Sequence, residues 1–356
     1  MSVSSLAKWP LSAAMLSALV RVSVLASLVL VGLSHSSLSA QASVPSPSLV
    51  QANAALQAGE ADKALALLAS SPVPGQDTAL THNLICRVRF ALGQWEAAAS
   101  ECQQAVRLDA QSSDYHLWYA RALGERAASA SFLTAFSLAK QSRSEFEESV
   151  RLDPQNAAAL ADLGDFYSQA PGVVGGGVDK ARQIASQLDK VEPAKAHHLR
   201  GQIAEQQKDY ETAEREFKQA IAVSNHPALE LTAVASFYAR RKRYPEMESA
   251  IQTVLNAAPH DKYAAIALYD GAGVLITAKQ NAAVAAKLLG DYLASPNKTE
   301  EGPAFVAHLR LARVRAKLGD TVAAGRERSA ALALASEYRP ARDFKPSDAS
   351  DQEASL

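Results

Sequence analysis

Two stretches near the N-terminus repeat one arrangement of apolar and polar positions. Residues 55–68, ALQAGEADKALALL, and 91–109, ALGQWEAAASECQQAVRLD, each end one helical run near a glycine. Each then steps five residues to an alanine and continues as a second apolar-faced run. The two glycines, Gly59 and Gly93, lie 34 residues apart. Looser copies follow: DYHLWYARALGERA with SEFEESVRLDP, ALADLGDFYSQA with DKARQIASQLDKVEP, and TAVASFYARRKRYPEMESAIQTVLNAAP. HLRLARVRAKLGDTVAAGRERSAALALA closes the series around Gly319 and Ala324. The pattern predicts an all-α array of about eight helix pairs over 43–338. The unit over 263–296 is the least defined, because its many alanines fix no register. The remaining segment, 339–356, is rich in Pro and small polar residues and is expected to be mobile.

The clearest unit is HLRGQIAEQQKDYETAEREFKQAIAV, residues 198–223. Gly201 stands where the first helix must approach the second, Tyr210 marks the turn, and Ala213, Phe217 and Ala220 form an Ala-x3-Phe-x2-Ala series. Phe146 with Pro154, the Leu163-Gly164-x2-Tyr167 run, Pro193, Tyr238, Tyr244 and Pro259 hold comparable positions elsewhere. In period and motif the chain resembles the tetratricopeptide repeat (TPR) family. The resemblance implies a right-handed superhelical solenoid of antiparallel helix pairs. The first helix of each pair would line a concave groove that binds protein segments. No pair can bury its apolar face alone, so stacking is obligatory.

Alanine is frequent and aromatics are 6% of residues, which suits close-packed helices better than a sheet. Residues 22–33, VSVLASLVLVGL, are uncharged and apolar, and Ala40-Gln41-Ala42 fits a small-x-small cleavage site. Twelve residues fall short of the roughly 20 that a membrane-spanning helix needs. Residues 1–42 therefore read as a cleaved export signal, with an uncleaved anchor as the alternative. Its removal leaves 34 basic against 37 acidic side chains, a net charge of −3. Such a chain has no global attraction to nucleic acid or anionic lipid. The expected location is the periplasm or outside the cell.

PGVVGGGVDKA, residues 171–181, raises the question of a phosphate loop. A Walker loop needs a lysine directly after its last glycine, then Ser or Thr. Here Val178 and Asp179 intervene after Gly177, and Ala181 follows Lys180. No strand precedes the glycines, so a dinucleotide fingerprint fails as well. Asp179 in the first turn of the following helix would repel an anion. The segment reads as a widened turn inside one helix pair.

The histidines give no metal-ligand spacing: His197 and His198 diverge on a helix, and His82, His116 and His308 stand alone. No serine occupies a nucleophile elbow. No cofactor, metal or catalytic group is predicted. Cys86 and Cys102 can pair in an oxidising compartment. Antiparallel packing is expected to leave them about one turn out of line, as small buried residues without a bond.

Aligning the units on their small residue places Arg87, Arg121, Asp165, Gln202, Ser236 and Arg313 one position after it, on the groove face. Arg240 and Lys317 lie one turn further on. Such arginines could take an acidic or C-terminal peptide through bidentate contacts, or simply solvate the wall. The family's carboxylate clamp is not implied, since Asn53 is its one echo while Leu84 and Leu199 fill other clamp positions. The expected function is a non-enzymatic protein-interaction scaffold of the envelope. Two alternatives stand beside it: a small-ligand regulator or enzyme using 171–177, and an array that self-associates through its end units.

Overall fold

The computed structural model describes residues 46–70, 78–257 and 263–348. The expected leader 1–42 and Pro259 lie outside them. Eight antiparallel pairs follow in order: α1 (Pro47–Ala58) with α2 (Ala61–Ala69), α3 (Ala79–Ala91) with α4 (Trp95–Leu108), α5 (Ser113–Ser129) with α6 (Phe132–Leu152), and α7 (Ala157–Gln169) with α8 (Val178–Leu188). Next come α9 (Pro193–Gln206) with α10 (Tyr210–Val223), α11 (Pro227–Arg240) with α12 (Tyr244–Ala257), α13 (Ala264–Thr277) with α14 (Ala282–Ala294), and α15 (Ala304–Lys317) with α16 (Thr321–Leu334). A short α17 (Arg339–Asp343) ends the series, and no strand occurs among the described residues. The architecture is a helical-repeat solenoid of stacked antiparallel pairs.

Local chemistry sets the ends of many helices. Ser46, Thr78, Ser112, Asn156, Asp209, Asn281 and Asp320 each accept a hydrogen bond from a backbone N–H in the first turn. Within a pair, small residues let the helices close up. Ala98, Ala105, Ala120, Ala213, Ala220, Ala235, Ala312 and Ala324 are all fully buried. A Cβ on Gly201 would stand 2.8–3.0 Å from the Phe217 ring, so the family aromatic fills the space that the glycine leaves.

Six pairs share a left-handed residue in the turn, Gly59, Gly93, Lys208, Lys242, Lys279 and Gly319, and in the seventh pair Asn281 is left-handed as well. Each of the six lies seven positions after the small residue of its first helix. Lys279 thereby settles the register of the unit left undefined by sequence. Its small residue is the fully buried Ala272, and its groove position is Gly273.

The solenoid curls until its ends meet. Leu49, Leu56, Leu84 and Val88 share one buried cluster with Phe305, Leu309, Ala312 and Phe344. Gly59 (φ 73°) has no room for a Cβ, which would run into the backbone of Pro303 and Ala304. Across this seam Glu300 accepts from Arg87 Nε at 2.8 Å and Nη2 at 2.5 Å, and from Gln57 Nε2 at 3.1 Å. Asp62 accepts from the Ser336 amide at 2.8 Å. The end units thus cover each other.

Two expectations need correction. The segment from 339 onward is packed against the array as far as Phe344: Ala341 and Phe344 are buried, and Arg328 donates to the carbonyls of Ala341 and Arg342 at 2.9 Å. Cys86 and Cys102 are also in line. Each lies eight residues from Gln94 at the centre of the α3–α4 turn, so antiparallel pairing sets them opposite each other. Their Cα atoms are 5.2 Å apart and they form a disulfide, fully buried.

Candidate partner-binding groove

Most of the cations expected at the groove positions already have partners. Arg87 is held by Glu300, with both side chains about 15% exposed (15% and 14%). Arg121 donates to Asp162 at 2.5 Å from its Nε and lies 4.6 Å from the Trp118 ring centre. Burial would lower the Arg121 value, but the Asp162 carboxylate outweighs this and holds it above the usual guanidinium range. Arg240 grips Glu205 with two bonds of 2.7 Å and donates to Ser236 Oγ at 2.7 Å. These three arginines brace neighbouring units and are not free to receive a ligand.

In the middle of the array Asp165, Gln202 and His198 lie together. The Gln202 amide nitrogen is 3.0 Å from His198 Nε2, while its buried carbonyl oxygen has no partner. Burial pushes the Asp165 carboxyl up to about 7, and the neighbouring Asp162 charge adds to this against His198, Lys195 and Gln202. Asp165 keeps some contact with water in the groove.

Arg313 differs from the other arginines. It is half-buried on α15 and makes no hydrogen bond or ion pair among the described residues. Burial holds it below the usual guanidinium value, and the Arg310 cation adds to that shift. Arg310 lies one turn earlier on the same helix, with its guanidinium carbon 4.1 Å from the Tyr269 ring centre and no ion pair among the described residues, the Asp270 carboxylate acting on it from further away. The Tyr269 hydroxyl beneath it is buried without a partner. Arg310 was missed by the alignment because it sits three positions before the site scored. Glycine at 273 makes its place, since a Cβ there would stand 3.3 Å from Arg310 Nη1. Lys317 is exposed on the same helix, and Asn53 is exposed on α1.

The histidines do not stand alone. His82, His116, His197 and His308 each lie four positions before the small residue of their helix. Through Nδ1 each meets a glutamate on the paired helix: Glu101 (2.7 Å), Glu145 (2.5 Å), Glu216 (2.8 Å) and Glu327 (2.6 Å). Three of the pairs share a 19-residue spacing, a signal present in the sequence. Burial alone would lower the His116 value, but its bonds to Glu145 and to the Ala110 carbonyl raise it. Among the described residues no group of three or more His, Cys, Asp or Glu side chains could hold a metal.

The glycine stretch forms a short 3-10 turn, Gly172–Val174, inside the fourth pair. The amides of Gly175, Gly176 and Gly177 donate to the carbonyls of Gly172, Pro171 and Tyr167 at 2.9, 3.2 and 2.8 Å. Those N–H groups point into the chain's own turn and form no cradle for an anion.

No protein-family model and no curated protein matches the chain. Solved structures of three helical-repeat proteins are similar to parts of it. A thermophilic TPR protein of Thermus thermophilus aligns at 20% identity and TM-score 0.41, over 56% of this chain and 100% of that one. A tetratricopeptide repeat protein from Parabacteroides merdae aligns at 10% identity and TM-score 0.42, over 83% and 98%. The crystal structure of MamA aligns at 17% identity and TM-score 0.36, over 46% and 88%.

Proposed function

We propose that this chain is a non-enzymatic interaction scaffold, exported to the cell envelope, that binds an acidic segment of a partner protein in its groove. The observation that carries this reading is the contrast among the groove cations. Arg87, Arg121 and Arg240 are neutralised inside the chain, whereas Arg310 and Arg313 are one turn apart on α15 and unpaired. Two guanidinium groups outside any ion pair among the described residues, with the Asp270 carboxylate acting on Arg310 only through space, favour added carboxylates, and their partial burial strengthens the contact. A ligand-binding role for 171–177 has no support in the bonded glycine amides.

The test is photo-crosslinking in intact cells from Lys317, one turn beyond Arg313, with exposed Lys218 on α10 as control. A discrete adduct from Lys317 alone, lost when Arg310 and Arg313 are both changed to Ala, is expected. An adduct indifferent to those changes, or none at all, removes the reading. The mass of the protein recovered from the envelope tests the leader, since cleavage after Ala42 predicts a chain beginning at Ser43.

A further inference from the structure

Two pairs, the third and the fourth, lack a left-handed residue seven positions after the small residue of their first helix, and they are neighbours. In the third pair α5 runs nine residues past Ala120, whereas most first helices stop five past their small residue. Its partner α6 begins ten residues before Ser142, where α4, α10 and α16 begin three before Ala98, Ala213 and Ala324. Ser142 marks the equivalent position because its hydroxyl donates to the Ala120 carbonyl at 2.8 Å. The hairpin therefore projects one to two helical turns, roughly 6–10 Å, beyond its neighbours. At its tip Phe132 is 65% exposed and Leu133 80%, more than any other large apolar side chain except Val322 among the described residues.

The glycine turn of the fourth pair braces this projection. Val174 is buried in the cluster that holds Ala139, Phe146 and the half-buried Phe136, while Val173 beside it is 63% exposed. The Arg143 guanidinium of α6 occupies the place where a Cβ on Gly175 (φ 96°) would stand. Lys180 Nζ donates to the Gly175 carbonyl at 2.9 Å. The exposed apolar tip is thus held rigidly on two elements.

Its surroundings carry both charges, and two of the cations are lysines outside any ion pair among the described residues. Residues 126–143 contain Arg126, Lys140 and Arg143 and no acid, and 171–182 add Lys180 and Arg182 against Asp179. Arg126, Arg143 and Arg182 have carboxylate partners in Glu96, Glu147 and Asp179, whereas Lys140 and Lys180 have no ion pair among the described residues. Glu125 and Glu145 bound the basic stretch.

We propose that this braced tip is a membrane-contact wedge, inserting Phe132 and Leu133 into an anionic phospholipid surface with Lys140 and Lys180 at headgroup level. A convex tip with so few apolar side chains is far smaller than the roughly 1,000 Å² that a specific protein interface buries. Lipid accepts it without a complementary pocket, and lysines that have no ion pair beside an apolar edge match an anionic leaflet.

Vesicle sedimentation tests the proposal with the chain from Ser43 onward, which keeps every described residue and lacks the apolar run at 22–33. Phosphatidylglycerol-containing vesicles are compared with pure phosphatidylcholine at low and high salt. Wild-type protein is expected to partition onto the anionic vesicles only. Phe132→Ser with Leu133→Ser should weaken this about ten-fold or more. Lys140→Glu alone should weaken the preference for anionic lipid, and it and the Phe132/Leu133 variant should melt like wild type because the changed side chains are solvent-facing. Equal partition of wild type onto both vesicle types, or no loss in the Phe132/Leu133 variant, overturns the assignment. A protein adduct from a crosslinker at Leu133, without vesicle binding, would overturn it in favour of a protein partner.

Discussion

The seam that closes the solenoid makes a quantitative demand on Glu300. Its carboxylate accepts two bonds from Arg87 and one from Gln57, and its own amide donates to Gln57 Oε1 at 3.3 Å. Glu300→Ala removes all the carboxylate bonds and leaves a nearly buried guanidinium without a counter-charge. Breaking a fully buried pair from one side costs about 3–5 kcal/mol. Arg87 keeps about 15% exposure and stays 5.3 Å from the Trp118 ring centre, which offset part of that loss. A cost of about 2–4 kcal/mol follows. Replacing both partners, Arg87→Met with Glu300→Met, leaves no orphaned charge and should cost only about 0–1 kcal/mol. Urea unfolding of wild type, Arg87→Met, Glu300→Met and the double variant completes the double-mutant cycle. The seam also ties the two ends of a quasi-linear array together, so the single Glu300→Ala change should broaden the transition and raise the largest dimension measured by small-angle scattering. An unchanged midpoint for Glu300→Ala, or a double variant as unstable as the two singles combined, refutes the closed seam as the source of stability.

Two further outcomes follow from the same structure. The Cys86–Cys102 disulfide closes a loop of 16 residues, so Cys86→Ala with Cys102→Ala should lower stability by about 3 kcal/mol, and a reductant should lower the wild-type melting temperature but not that of the variant; equal melting with and without reductant would show that the bond is not formed. Asp165 binds its proton more tightly when folded, at about 7, than when unfolded, at about 3.9, so its contribution is fully present below about pH 4 and is lost as pH rises through about 7. Asp165→Asn should therefore gain stability relative to wild type by about 1–2 kcal/mol between about pH 5 and pH 8, a fraction of the full linkage because the carboxyl keeps some water; a difference flat across that range counts against its burial.

Much of the fold was legible from local pattern. The spacing of Gly59 and Gly93, the Gly201–Phe217 fit and the Pro- and Ser-marked helix starts are properties of one pair and its neighbour, so short stretches of sequence carry them. The rejection of a phosphate loop at 171–177 came from residue order alone, and the bonded amides give it a physical basis. The 19-residue His–Glu spacing was present too, unread because neither residue type is tied to the repeat pattern.

What the tertiary structure decided depends on residues far apart along the chain or on register. Whether Arg87 is a free groove cation turns on Glu300, 213 positions away, and no local pattern announces that partner. The register of the seventh unit waited for the left-handed Lys279, because a run of alanines is equally apolar in several frames. The alignment of Cys86 with Cys102 needed the centre of the α3–α4 turn, which helix periodicity leaves uncertain by a residue or two and which a disulfide does not tolerate. Sequence determined the kind of unit and its repetition, since those follow from which side chains can pack at about 3.6 residues per turn. The closed seam, the unpaired groove arginines of α15 and the braced apolar tip emerged only when eight units were stacked and their small angular offsets summed.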